Sequence, residues 1–145
     1  MRTHLVKHTI PFTSFVFVLL FSYTGINKLI EIKAFRSAML VSPYLKSMAE
    51  WLTWVIIAVE ILIVILLSIP QARFWGLFST FLLMMIFTVY IGWMLSTQSR
   101  LPCSCGGILK ELSWQFHLIL NITLTFLVAF AVIVGFKMRE QIFNN

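Results

Sequence analysis

Residues 50–69 read EWLTWVIIAVEILIVILLSI. Past its first residue the run carries one ionisable side chain, Glu60, among isoleucine, leucine and valine. About 20 such residues, wound as a helix, cross the hydrocarbon core of a bilayer. The run therefore reads as a membrane span. Three further stretches of the same character lie at residues 9–30, 74–96 and 113–136.

The composition agrees with that reading. The 145-residue chain is 60% hydrophobic and only 11% charged, with a mean hydropathy of +0.96. So few charges cannot cover a water-soluble domain of this size. The spacing predicts one small domain, an all-α integral membrane protein of residues 1–145, with four transmembrane helices forming a bundle. Pro11, Pro43, Pro70 and Pro102 fall at or outside the ends of the spans, where a missing N–H costs little. Trp51, Trp54, Trp75, Trp93 and Trp114 also lie near the ends, as expected of an interfacial aromatic belt. The first span follows Arg2 and Lys7 as a signal peptide would, but it is long and no small-x-small cleavage pattern follows it. It is expected to be retained.

The connections differ in kind. After the first span, Leu29, Ile32, Phe35, Met39 and Leu40 recur at near-helical spacing with Lys33, Arg36 and Ser37 between them. That pattern predicts an amphipathic helix lying in the interface. Pro70-Gln71-Ala72-Arg73 predicts a tight turn that makes its flanking spans antiparallel neighbours. The loop over 97–112 holds LPCSCGG at 101–107, and with it both cysteines of the chain, Cys103 and Cys105.

Polar residues inside a bilayer need a partner or a purpose. Glu60 has Lys28 as its best partner, or else stays neutral and bonds a hydroxyl of Tyr23, Thr88 or Tyr90. Thr24, Asn27, Lys28 and Glu31 share one face of the first span, as His117, Asn121 and Thr125 share one face of the last. For Asn27, Asn121 and Thr125 the expectation is hydrogen bonding between helices. His117 lies about one turn below the thiol loop if Ser113 caps the last span. It is a candidate base, metal ligand or hydrogen-bonded core residue.

Three uses fit the thiol pair. A disulfide between residues i and i+2 departs from relaxed geometry and is easily reduced, and strained, exposed disulfides are the exchangeable ones. Arg100, Lys110 and a following helix N-terminus favour the thiolate. Gly106 and Gly107 let a partner protein approach. The second use is copper or zinc handling by the thiols with His117. The third is none, the pair being structural or incidental.

The net charge of +6 is spread over both faces, with no run dense enough for nucleic acid. Arg2, Lys7, Arg73, Lys137 and Arg139 stand on one face; Lys28, Lys33, Arg36, Lys46, Arg100 and Lys110 stand on or just inside the other. Five against six decides no orientation under the positive-inside rule. A disulfide persists outside the cytoplasm, which would put the thiol loop in the periplasm and both termini in the cytoplasm.

Several of these elements resemble a known family. Phe21-Ser22-Tyr23-Thr24-Gly25-Ile26-Asn27-Lys28-Leu29, with Phe35 and Ser42-Pro43 beyond it, is similar to the end of the first helix in DoxX-like membrane proteins. Val59-Glu60-Ile61-Leu62 resembles the acidic element of their second helix. Pro102-Cys103-Ser104-Cys105-Gly106-Gly107, followed by Trp114 and His117, resembles the branch containing the methylamine-utilisation MauE proteins.

The resemblance implies a four-helix protein of the bacterial inner membrane associated with redox processes. MauE is connected with disulfide formation in a periplasmic dehydrogenase subunit, and other relatives are subunits of quinone-linked oxidoreductases. The expectation is a thiol–disulfide oxidoreductase whose site residues are Cys103, Cys105, His117, Glu60 and Lys28. Its partners would be the lipid bilayer and an extracytoplasmic thiol protein or larger membrane complex, with a membrane quinone as the candidate electron acceptor. The rival reading is a non-catalytic subunit that anchors or assembles such a complex.

Overall fold

A computed structural model describes residues 2–41, 45–97 and 114–143, with side chains placed for 8–37, 39–40, 45–97 and 115–139. Helix α1 spans Arg2–Ile30, α2 Ile32–Val41, α3 Ala49–Ser68, α4 Arg73–Thr97 and α5 Trp114–Phe143; a 3-10 turn at Lys46–Met48 leads into α3. Among the described residues there is no strand. Four of the helices are long and apolar enough to cross a membrane, over His8–Ile30, Lys46–Ser68, Arg73–Thr97 and Gln115–Arg139. The protein is an all-α membrane protein.

The four long helices close into a bundle. α1 packs between α3 and α5, α4 packs between the same two on the opposite side, and α1 meets α4 only weakly across the middle. Burial along each helix recurs at three- and four-residue steps, as at Ala49, Thr53, Ile57, Glu60, Ile63 and Leu67 of α3. That stripe is the inward face, and the residues between it face lipid. Phe17, Ile63, Leu77 and Val128, one from each long helix, are at most 1% exposed and form the centre of the core.

Two glycines set how closely the helices approach. A Cβ on Gly76 of α4 would lie 2.9 Å from both the backbone N and a methyl of Leu67 on α3. A Cβ on Gly135 of α5 would lie 2.8 Å from the Phe74 ring of α4 and 3.9 Å from Ile10 of α1. Small residues at such crossings let backbones come together where lipid supplies no hydrophobic drive. The Gly135 contact marks one end of the bundle, holding the α1 N-terminus and the α3–α4 turn. That turn closes through Ala72 N–H to Ile69 O at 3.1 Å, and Arg73 Nε–H donates to Leu67 O at 3.2 Å, covering a carbonyl at the end of α3. The opposite end holds the α1 C-terminus, α2, and the places where the chain leaves α4 and re-enters α5.

α2 forms where the apolar spacing predicted a helix. Met39 is buried, Ile32 and Phe35 are half-buried, and Lys33, Arg36 and Ser37 are exposed. The Thr53 hydroxyl of α3 contacts Met39 Sδ at 3.6 Å, and Arg36 pairs with Glu50 at 2.7 Å, so α2 is docked on the start of α3.

Pro11 departs from the expected pattern. It lies inside α1 rather than at its edge, because the helix begins at Arg2. Membrane helices tolerate such prolines when neighbouring groups satisfy the freed backbone.

Candidate functional site

Lys28, on the last turn of α1, donates a hydrogen bond to Glu60 Oε1 on α3. The ammonium and carboxylate side chains are 9% and 1% exposed, so the ion pair is enclosed by the bundle. Of the partners the sequence offered Glu60, the structure selects Lys28. The Thr88 hydroxyl instead donates to Met84 O at 2.7 Å and meets Thr125 of α5 at 3.2 Å. Two charges taken from water into such surroundings each forfeit several kcal/mol of hydration, which their attraction and further hydrogen bonds must offset.

The further bonds are incomplete. Glu60 Oε2 is buried and, among the described residues, has no hydrogen-bond partner. Lys28 Nζ lies over two aromatic rings, 5.3 Å from the Phe35 centroid of α2 and 5.6 Å from the Phe87 centroid of α4. Their π faces attract the cation but accept no conventional hydrogen bond. Beside the pair, Gly25 of α1 is buried; a Cβ built there would lie in ordinary contact with Glu60 Oε2 of α3, at 3.6 Å. Four helices thus contribute to the site: α1 brings Gly25 and Lys28, α2 Phe35, α3 Glu60, and α4 Phe87.

Neither phenylalanine was recognised from the sequence as part of this site. Phe35 stands in the sequence as part of an apolar stripe and of the family resemblance, and Phe87 is one of fourteen phenylalanines. The available signal was the position of Phe35 two turns beyond Lys28, where a helix docked at the end of α1 can fold back over it.

His117 is 3% exposed on the inward face of α5, towards the end where the chain re-enters the bundle. It stands eight residues before Thr125, about 12 Å along the axis at ~1.5 Å per residue.

Asn27 and Asn121 differ from expectation. Each amide donates to a carbonyl four residues back in its own helix, Tyr23 O at 3.0 Å and His117 O at 2.9 Å. Thr125 does make the expected bond between helices. A short polar side chain on a helix competes for its own i−4 carbonyl, and that local acceptor won for both asparagines.

Cys103, Cys105 and the Ser113 cap lie outside the described residues, as do Ser42 and Pro43. Among the described residues no three His, Cys, Asp or Glu side chains gather as a metal site.

The family model described as "Methylamine utilisation protein MauE" matches residues 6–134. No curated protein and no solved structure matches the chain significantly.

Proposed function

The chain belongs to the methylamine utilisation protein MauE family, and from that premise we propose that it is a membrane thiol–disulfide exchange protein. The observation that carries this reading is the extent of the match, which runs from α1 into α5 and encloses both thiols. In the exchange, a thiolate of a reduced extracytoplasmic protein attacks the Cys103–Cys105 disulfide. A mixed disulfide forms, the client's second thiol displaces the bound sulfur, and the client leaves oxidised. Cys103 and Cys105 are then a dithiol. Returning them to the disulfide releases two electrons and two protons to a bilayer-soluble acceptor, for which a quinone, becoming a quinol, has the matching stoichiometry.

The remaining candidates have supporting roles. Lys28 and Glu60 hold charge inside the bundle and are suited to passing protons, and His117 lies in the first turn of α5. In this reading the protein lies in the bacterial inner membrane, with the thiol loop periplasmic and both termini cytoplasmic. In this reading the client is a secreted protein whose disulfides must be made, and the membership of the MauE family supports it.

The test is thiol trapping in intact cells with a membrane-impermeant alkylating reagent. Labelling of Cys103 and Cys105 only after reduction supports the reading, and so does loss of client oxidation in Cys103→Ser or Cys105→Ser. Normal client oxidation in those variants sinks it. Co-purification with a large complex in a variant lacking both thiols, alongside normal oxidation, would establish the anchoring role in its place.

A further inference from the structure

We propose that Arg139, near the end of α5, holds the phosphate of an anionic phospholipid. Its guanidinium lies over two rings at the start of α4, 4.9 Å from the Phe74 centroid and 5.9 Å from that of Trp75. Phe74 is itself held in place. It meets Phe136 edge-on at 4.9 Å and packs against Gly135, where a Cβ would lie 2.8 Å from the ring. An aromatic corner thus positions the long arginine side chain before any ligand arrives. A guanidinium that stacks by its face keeps its N–H edge for oxygen acceptors. Among the described residues no carboxylate pairs with Arg139. Arg73, the residue before Phe74, spends its Nε–H on Leu67 O and retains its two terminal amino groups as donors.

Depth and charge restrict the ligand. Arg73 and Arg139 are terminal residues of two membrane-crossing stretches, Arg73–Thr97 and Gln115–Arg139, so both stand where lipid headgroups begin. Trp75 is exposed and of the residue type that settles at the same level. This end of the chain carries Arg2, Lys7, Arg73, Lys137 and Arg139 against one acidic side chain, Glu140. A phosphodiester accepts two parallel, charge-assisted N–H···O bonds from a guanidinium fork. Basic sites between membrane helices take lipid headgroups in this way. A carboxylate would have to be brought to that depth by another chain, whereas phospholipid is already there. The inference uses neither thiol and stands apart from the exchange reading.

The test uses the full chain purified in a neutral detergent, with the thermal unfolding midpoint followed as lipid is added. Phosphatidylglycerol should raise the midpoint. Phosphatidylcholine, whose phosphate is balanced by its own cation, should raise it much less. Arg139→Gln, at an exposed position near a helix end, should fold normally and bind phosphatidylglycerol about tenfold more weakly. Arg139→Lys keeps the charge without the planar fork and should be weakened nearly as much. Lys137→Gln removes an equal charge from an exposed neighbour and should keep most of the shift. Equal shifts with the two lipids, or equal losses in Arg139→Gln and Lys137→Gln, would show a diffuse charged surface and overturn the proposal. A full shift in Arg139→Lys, or no shift with phosphatidylglycerol, overturns it too. Inorganic phosphate at matched ionic strength should leave the midpoint unchanged; a shift as large as the lipid's would replace the lipid with a free anion.

Discussion

Lys28 and Glu60 are separated by 32 residues in the sequence and meet inside the bundle, joining the end of α1 to the middle of α3. Their mutual dependence is measurable. Lys28→Met or Glu60→Leu alone strands the other charge and should cost about 3–5 kcal/mol. The double variant removes both charges, and most of that loss should return. Unfolding by denaturing detergent in mixed micelles gives the three values. Additive losses in the double variant would show that the pair is not coupled.

Gly76→Ala forces a methyl to within 2.9 Å of the Leu67 backbone, which cannot turn aside as a side chain can. The expected loss is about 1–3 kcal/mol, typical of overpacking. Gly92→Ala meets no such obstacle and should gain up to about 1 kcal/mol from the helix preference of alanine. The same unfolding titration reads both, and equal effects would contradict the close α3–α4 crossing.

Thr125→Val keeps the shape of the side chain but removes its bond to Thr88 across α4 and α5. Hydrogen bonds between membrane helices average ~0.6 kcal/mol, with a maximum near 1.7. A loss within that range is expected. The partner change Thr88→Val should add little to it, because the shared bond is already gone.

The docking of α2 should depend on packing more than on charge. Arg36 and Glu50 have side chains 45% and 72% exposed, so breaking that pair should cost less than about 1 kcal/mol. Met39 is 6% exposed, and Met39→Ala should cost about 2 kcal/mol or more. Hydrogen exchange over residues 32–41 should quicken in Met39→Ala and stay nearly unchanged in Arg36→Ala. The reverse order would mean that the ion pair holds the helix.

The spans and the Lys28–Glu60 pair were legible in the sequence for the same reason. Hydrocarbon tolerates few charges, so a long apolar run declares itself and an interior carboxylate points to the nearest cation. α2 was legible because Ile32, Phe35 and Met39 keep a helical period between polar neighbours. The partners of Asn27 and Asn121 were not, since facing another helix and bonding one's own carbonyl look alike in a sequence. Phe87 was hidden because its place depends on the register of α4 against α3, where Gly76 meets Leu67. The thiol half of the proposed chemistry rests on the sequence and the family.

Among the described residues, the hydroxyls of Ser14, Thr53, Thr80 and Thr88 are settled within a single helix, each donating to the carbonyl four residues back. Each helix can therefore enter the bilayer during synthesis with these groups already satisfied. Lys28 and Glu60 are different, because α1 emerges from the ribosome before α3 exists to receive its ammonium. The nascent α1 must wait at the insertion machinery, or keep Lys28 at the headgroups, until Glu60 arrives. The ion pair thus imposes an order on biogenesis, in which pairing of the first and second spans precedes closure of the bundle by the last two.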